Sequence, residues 1–169
     1  MFDTFQGKAW VFGDNINSES ILNSGLEYEL DEAKKHILEV YDPDFPQQVK
    51  QGDIVVAGKN FGTSSSRPSG MLLRMAGVAA VVCESSSIIF YRNTWSRGLP
   101  VLECPGVTKI VNKGDLIEIN IKEKYVKNMN TGQTAEIMPV PEKLLDVCQR
   151  GGLLEWIMDR KHLYDTIES

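Results

Sequence analysis

"DIVVAGKNFGTSSSRPSGMLLRMAGVAAVVCESSSIIFYRNTWSRGLPVLEC", residues 53–104, is the stretch that decides the fold. "DIVVAG" (53–58) is an apolar run rich in β-branched residues and ended by Gly58, which predicts a buried strand. A polar loop follows. "SGMLLRMAG" (69–77) then has helical spacing, with Gly77 as its stop. "VAAVVC" (78–83) predicts a second buried strand, "SSIIFYRNTWSRG" (86–98) a second helix ended by Gly98, and "LPVLEC" (99–104) a third strand. Strand, helix, strand, helix, strand in such short succession implies a parallel sheet joined by right-handed crossovers.

Toward the amino terminus, "GKAWVFGDN" (7–15) predicts a short strand with Trp10 and Phe12 on one face. "INSESILNSGLEYEL" (16–30) has no clear period and is interrupted by Gly25, so it reads as a mobile excursion. "DEAKKHILEVY" (31–41) predicts a helix with Asp31 as N-cap and Ala33, Ile37, Leu38 and Tyr41 at helical spacing. "DPDFPQQVKQGD" (42–53) is a turn-rich return to the sheet. Toward the carboxyl terminus, "DLIEINIKEKYV" (115–126) alternates strictly, which predicts one strand with Ile117, Ile119 and Ile121 inward. "NMNTGQT" (128–134) reads as a turn and "TAEIMPV" (134–140) as an antiparallel partner. Residues 141–163 read as one helix broken at Gly151–Gly152 or as two short ones. The expectation is a single α/β domain over residues 1–169, with a mixed, partly parallel sheet flanked by helices.

A chain of 169 residues is long enough for one domain with a real core. Its apolar share of 42% is ordinary, and its net charge of -5 carries no Lys/Arg block, so there is no electrostatic footprint for nucleic acid. The amino terminus "MFDTFQGKAW" has no basic start and no apolar core, unlike a signal peptide, and "VAAVVC" is too short to cross a bilayer. These features point to a cytoplasmic protein. The three cysteines, Cys83, Cys104 and Cys148, are widely spaced without a C-x-x-C pair, which argues against a disulfide framework and against a metal or cofactor held by this chain alone.

Chemistry concentrates in "GKNFGTSSSRPSG" (58–70), between a buried strand and a helix. Pro68 suits the first turn of that helix, where its missing N–H has no partner to lose. Ser64, Ser65, Ser66 and Arg67 then lie among free backbone N–H groups at the positive end of the helix dipole, a place that favours a carboxylate or phosphate. Arg67 adds a fork able to grip a carboxylate through two bonds. A serine beside positive charge can be tuned as nucleophile or base. The same residues also suit a plain helix start with its arginine in solvent. The P-loop, dinucleotide and G-x-S-x-G patterns all fail here. His36 and His162 lie far along the chain from the serines, so a serine-hydrolase triad is not indicated.

From Trp10 to Cys104 the chain resembles the small subunit of 3-isopropylmalate dehydratase, the swivel domain of the aconitase superfamily. "WVFGDNI", "GDIVVAGKNFG", the serine-arginine loop and "IFYRN" followed by "GLPVLE" occur in family order and at family spacing. The resemblance implies the aconitase-type swivelling β/β/α fold and a hydro-lyase. It implies a partner large subunit bearing a 4Fe-4S cluster, whose open iron acts on the hydroxyl of a small dicarboxylate. The family loop G-x-G-S-S-R-E-H falls on residues 62–69. Carried over by position, Ser65 is the base that removes the proton α to a carboxylate, Arg67 grips that carboxylate, and Ser66 and Ser64 position the loop and substrate.

The chain departs from the pattern where Ser64 replaces the second glycine and Pro68-Ser69 replaces Glu-His. It departs again where Asn17-Ser18-Glu19 replaces Asp-Thr-Asp and where Ile88 replaces an arginine. These changes mark a divergent branch. They keep in play a non-catalytic anion-binding or regulatory paralogue, and a small subunit acting on a tricarboxylate. The family's excursion after the first strand reads the variable side of the substrate. Here that excursion has no arginine, and no lysine lies between Lys8 and Lys34, while Ile21, Leu22 and Leu26 are apolar. A third carboxylate would be left unpaired against it, whereas an alkyl group gains about 0.8 kcal/mol per buried CH₂. An alkylmalate such as 3-isopropylmalate is the expected substrate.

Overall fold

β1 (Thr4–Val11) is the pivot of the sheet, parallel to β2 on one side and antiparallel to β5 on the other. The structure, a computed structural model, describes residues 4–21, 29–64 and 68–160. Among these, β2 (Ile54–Ala57), β3 (Ala80–Cys83) and β4 (Val101–Glu103) continue the parallel half. β5 (Leu116–Asn120), β6 (Tyr125–Asn128) and β7 (Thr134–Glu136) form the antiparallel half, giving the order β4-β3-β2-β1-β5-β6-β7. β2 and β3 are buried at every position, as expected of central parallel strands covered on both faces.

The long β1–β2 connection contains α1 (Ser18–Ile21), α2 (Leu30–Ala33) and α3 (Phe45–Gln48). α4 (Ser69–Met75) joins β2 to β3, and α5 (Ile88–Ser96) joins β3 to β4. α6 (Glu142–Gln149) and α7 (Leu153–Met158) end the described chain as two helices, the second of the alternatives in the sequence. α4 packs on α5, α5 on α6 and α6 on α7. Trp10 and Phe12 both meet Phe45 edge-on, with ring centroids 5.2 and 5.5 Å away, so they share a face as expected. The buried indole of Trp10 donates to Asp53 Oδ2 at 2.8 Å, which satisfies its one polar atom.

Four elements differ from expectation, the first two being α1 and α3, short helices in the stretches read as an excursion and a turn-rich return. The helix expected over 31–41 is only α2, capped at Glu29 rather than Asp31 and prolonged by a 3-10 turn at Lys34–His36. Ile37 is extended, and Leu38, at φ 57°, donates its N–H to Ile21 O at 2.8 Å. Both side chains are fully buried, and that packing overrides the helical spacing. The long strand over 115–126 is instead a hairpin. Asn120 Oδ1 accepts from Glu123 N at 2.7 Å, Lys124 turns left-handed at φ 58°, and Tyr125 pairs back on Asn120. Ile117 and Ile119 point inward as expected, and Ile121, at the turn, is buried as well. β7 is the antiparallel partner of β6. Among the described residues no helix is long and apolar enough to cross a membrane.

Candidate functional site

The segment 58–64 leaves the carboxyl end of β2 and is sewn to the loops that follow β1 and β3. Gly58 permits the first stitch, since a Cβ there would lie 1.9 Å from Asp14 Oδ1. That oxygen accepts Lys59 N at 2.7 Å, Gly58 N donates to Gly13 O at 3.1 Å, and Asn15 N donates to Lys59 O at 2.7 Å. Phe61 is stitched to the other side, its N–H on Ser85 O (3.0 Å) and its carbonyl on Ser87 N (2.9 Å).

Two serines then hold consecutive carbonyls. Ser87 Oγ donates to Gly62 O at 2.6 Å while accepting from Phe90 N as the N-cap of α5. Ser18, 1% exposed, sends its Oγ toward the carbonyls of Gly62 (3.1 Å), Thr63 (3.2 Å) and Ser64, and its N–H to Thr63 O at 2.8 Å. Gly62, at φ +75°, lies against the Phe90 ring, and its N–H reaches Ile16 O at 2.7 Å. Residues 58–64 are therefore anchored at the carboxyl edge of the parallel strands, where open α/β sheets place their ligands.

Of the residues singled out in the sequence, Ser64 is described. It is exposed and lies at φ 64°, the left-handed conformation that glycine adopts without strain. Ser65, Ser66 and Arg67 lie outside the described residues, as do Leu22, Leu26 and His162. Pro68 is the N-cap of α4 (φ −75°, ψ 35°) and not its first helical residue. Ile21 departs from its expected role. It is fully buried in the hydrophobic core, so its side chain is not offered to a substrate. His36 binds Glu39 Oε2 at 2.8 Å.

Sequence reasoning missed Ser18 and Ser87 as the anchors of the turn. Ser87 carried a readable signal, a serine just before an apolar helical run. Ser18 stands at the hydroxyl position of the family's Asp-Thr-Asp, but its bonds, which span more than forty residues, leave no local pattern.

Cys83 at the end of β3 and Cys104 beyond β4 are neighbours, Cys104 N donating to Cys83 O at 2.8 Å, whereas Cys148 lies on α6, and all three are buried free thiols. Burial, with Glu103 nearby, pushes the Cys83 thiol up. Burial raises Cys104 to about 12 and Cys148 to about 11. A cluster ligand must be a thiolate. These residues do not fit an iron–sulfur cluster, and among the described residues no group of three or more His, Cys, Asp or Glu is placed to hold a metal.

The mixed sheet and its flanking helices have the architecture of an aconitase-type swivel domain. Residues 5–107 match the aconitase C-terminal domain, and the chain belongs to that family, among the small subunits of 3-isopropylmalate dehydratase-type hydro-lyases. It is 43% identical over 160 residues to 3-isopropylmalate dehydratase small subunit 1 of Methanopyrus kandleri, covering 93% of this chain and 94% of that one. It is 39% identical to the isopropylmalate/citramalate isomerase small subunit of Methanocaldococcus jannaschii, covering 93% and 95%. A crystal structure of 3-isopropylmalate dehydratase from the same organism superposes with a TM-score of 0.88 at 28% identity, covering 96% of this chain and 98% of that one.

Proposed function

We propose that the chain acts in the cytoplasm as the single swivelling domain of a two-subunit hydro-lyase that isomerises an alkyl-substituted malate, 3-isopropylmalate above all, by dehydration and rehydration. The observation that carries this reading is the anchored turn. Ser18 and Ser87 hold the carbonyls of Gly62, Thr63 and Ser64, the residues that precede Ser65 in the sequence. In this reading Ser65 removes the proton α to a carboxylate. Arg67 grips that carboxylate by its planar fork and, as a nearby positive charge, favours the serine alkoxide. Ser66 and Ser64 orient the turn. The 4Fe-4S cluster belongs to the partner large subunit and supplies Lewis-acid chemistry at the hydroxyl.

The choice of an alkylmalate rests on the excursion after β1, where Leu22 and Leu26 are apolar and Arg67 is the first arginine of the chain. The names of the relatives agree with such a substrate. The test is kcat/KM for alkylmalates and for tricarboxylates, measured with this chain combined with its large subunit. Preference for an alkylmalate is expected. Preference for a tricarboxylate would overturn the substrate assignment, and no turnover of either would overturn the function.

A further inference from the structure

A cavity of about 170 Å³ lies beside Pro68, where α4 begins and α5 runs past it, with Ser18, Ser69, Asn93, Thr94, Ser96 and Arg97 as its polar wall. It holds several times the roughly 30 Å³ share of one water. Three observations distinguish it from a packing gap.

The first is a cation without a counter-charge. Among the described residues Arg97 has no carboxylate partner, and its side chain donates only to Met71 Sδ, at 3.9 Å. A thioether is a weak acceptor and leaves the guanidinium fork available. Arg74, on α4, is differently employed. Its Nη1 donates to Arg97 O at 2.5 Å and to Gly151 O at 2.6 Å, which fixes the end of α5 that carries Arg97.

The second is spacing. Asn93 and Arg97 are four residues apart at the exposed side of α5 and its C-cap, so amide and guanidinium share a face. The third is a buried hydroxyl. Thr94, 1% exposed, has no hydrogen-bond partner for Oγ1 among the described residues. That oxygen faces Gly70, where a Cβ would stand 2.3 Å away, so the glycine keeps open the gap into which the hydroxyl points. Native proteins leave few such groups unpaired.

We infer that this cavity is the subsite for the second carboxylate of the substrate, with Arg97 as its cation and Asn93 as the adjoining donor. The inference rests on the function proposed above. An alkylmalate carries two carboxylates, and Arg67 accounts for one. The other, once desolvated, needs its own charge partner, and the planar fork of an arginine suits it. The cavity shares its wall with Pro68, the residue that follows Arg67 in the sequence. Arg97 contributes ground-state binding, so its loss acts on KM before kcat.

The experiment uses the assembled two-subunit enzyme with Arg97→Gln and Arg97→Lys. Arg97→Gln should raise KM for 3-isopropylmalate tenfold or more with less than a threefold change in kcat, and weaken inhibition by succinate in parallel. Arg97→Lys should fall between. Urea midpoints of the variants should match the parent. In a second arm, the ¹⁵N-labelled full chain is titrated with succinate. Shifts at the Asn93 side-chain amide and the Arg97 Nε that vanish in Arg97→Gln support the subsite. If the parent enzyme is active but Arg97→Gln keeps KM and succinate inhibition within twofold, the subsite is wrong and the proposed function stands. If the parent complex shows no turnover, the proposed function fails, and the absence of Asn93 shifts would overturn the subsite as well.

Discussion

Gly62→Ala loads the serine turn most directly. Gly62 lies at φ +75°, and a Cβ there would stand 2.2 Å from Phe90 Cγ and 2.4 Å from Phe90 Cβ. Left-handed backbone costs an L-residue about 1–2 kcal/mol, and forcing a methyl into a packed ring costs about 1–3 kcal/mol more. Phe90 has little room to retreat. It is 4% exposed, its ring meets Phe61 edge-on at 5.1 Å, and its N–H is held by Ser87 Oγ. The expected loss is therefore about 2–5 kcal/mol. Gly132→Ala is the control, because Gly132 is at φ +79° with nothing within 4 Å of an added Cβ. It should lose only about 1–2 kcal/mol. Urea unfolding of both variants, with m unchanged, measures the difference as a shift in midpoint. Each kcal/mol is worth roughly 2–4 °C in Tm for a chain of this size. Equal losses in the two variants would show that the Phe90 ring does not confine Gly62, and the argument for an anchored segment at 58–64 would fall.

Ser64→Gly should stabilise the fold by about 0.5–1 kcal/mol, since relief of left-handed strain exceeds the added unfolded-state entropy, and a lowered urea midpoint would contradict this. The acid limb of stability should depend on Glu84. Burial works to raise its carboxyl, but hydrogen bonds from Gly106 N (2.6 Å) and from the side chain and backbone of Thr108 overcome that and hold it below the ordinary value near 4.5. Its contribution is present above that value and lost as pH falls through the lower folded one. Glu84→Gln should flatten that part of the curve of unfolding free energy against pH, and a parallel curve would refute the assignment. The buried thiols should react with iodoacetamide at about pH 8 at least a hundredfold more slowly in the native chain than in urea. Rapid native labelling would show a thiolate that the structure does not contain.

The parallel half of the fold was legible because its signals are local. Gly58, Gly77 and Gly98 punctuate apolar runs of strand and helix length, and β2 and β3 are buried at every position. The β5–β6 hairpin was not legible, because alternation runs unbroken through the reversal. The reversal depends on the Asn120 side chain and on Lys124, a residue type that carries no turn signal. The brevity of α2 is hidden in the sequence because Ile37 and Leu38 obey helical spacing yet are buried side by side by contacts from distant segments. At the site, the hydroxyls and the arginine stood out as chemistry, but the left-handed backbone of Ser64 did not, because a serine carries no such signal. The clamps by Ser18 and Ser87 and the placing of Arg97 beside Pro68 arise from packing between elements far apart in sequence, which no local pattern encodes.

The most direct test of the central claim is turnover of 3-isopropylmalate by the complex of this chain with a cluster-bearing large subunit, for the parent and for Ser65→Ala. Loss of a positioned base should lower kcat by about 10²–10⁴. Assembly, followed by gel filtration, should be unaffected. A near-parental rate for Ser65→Ala in the assembled complex would contradict the assignment of Ser65 as the base.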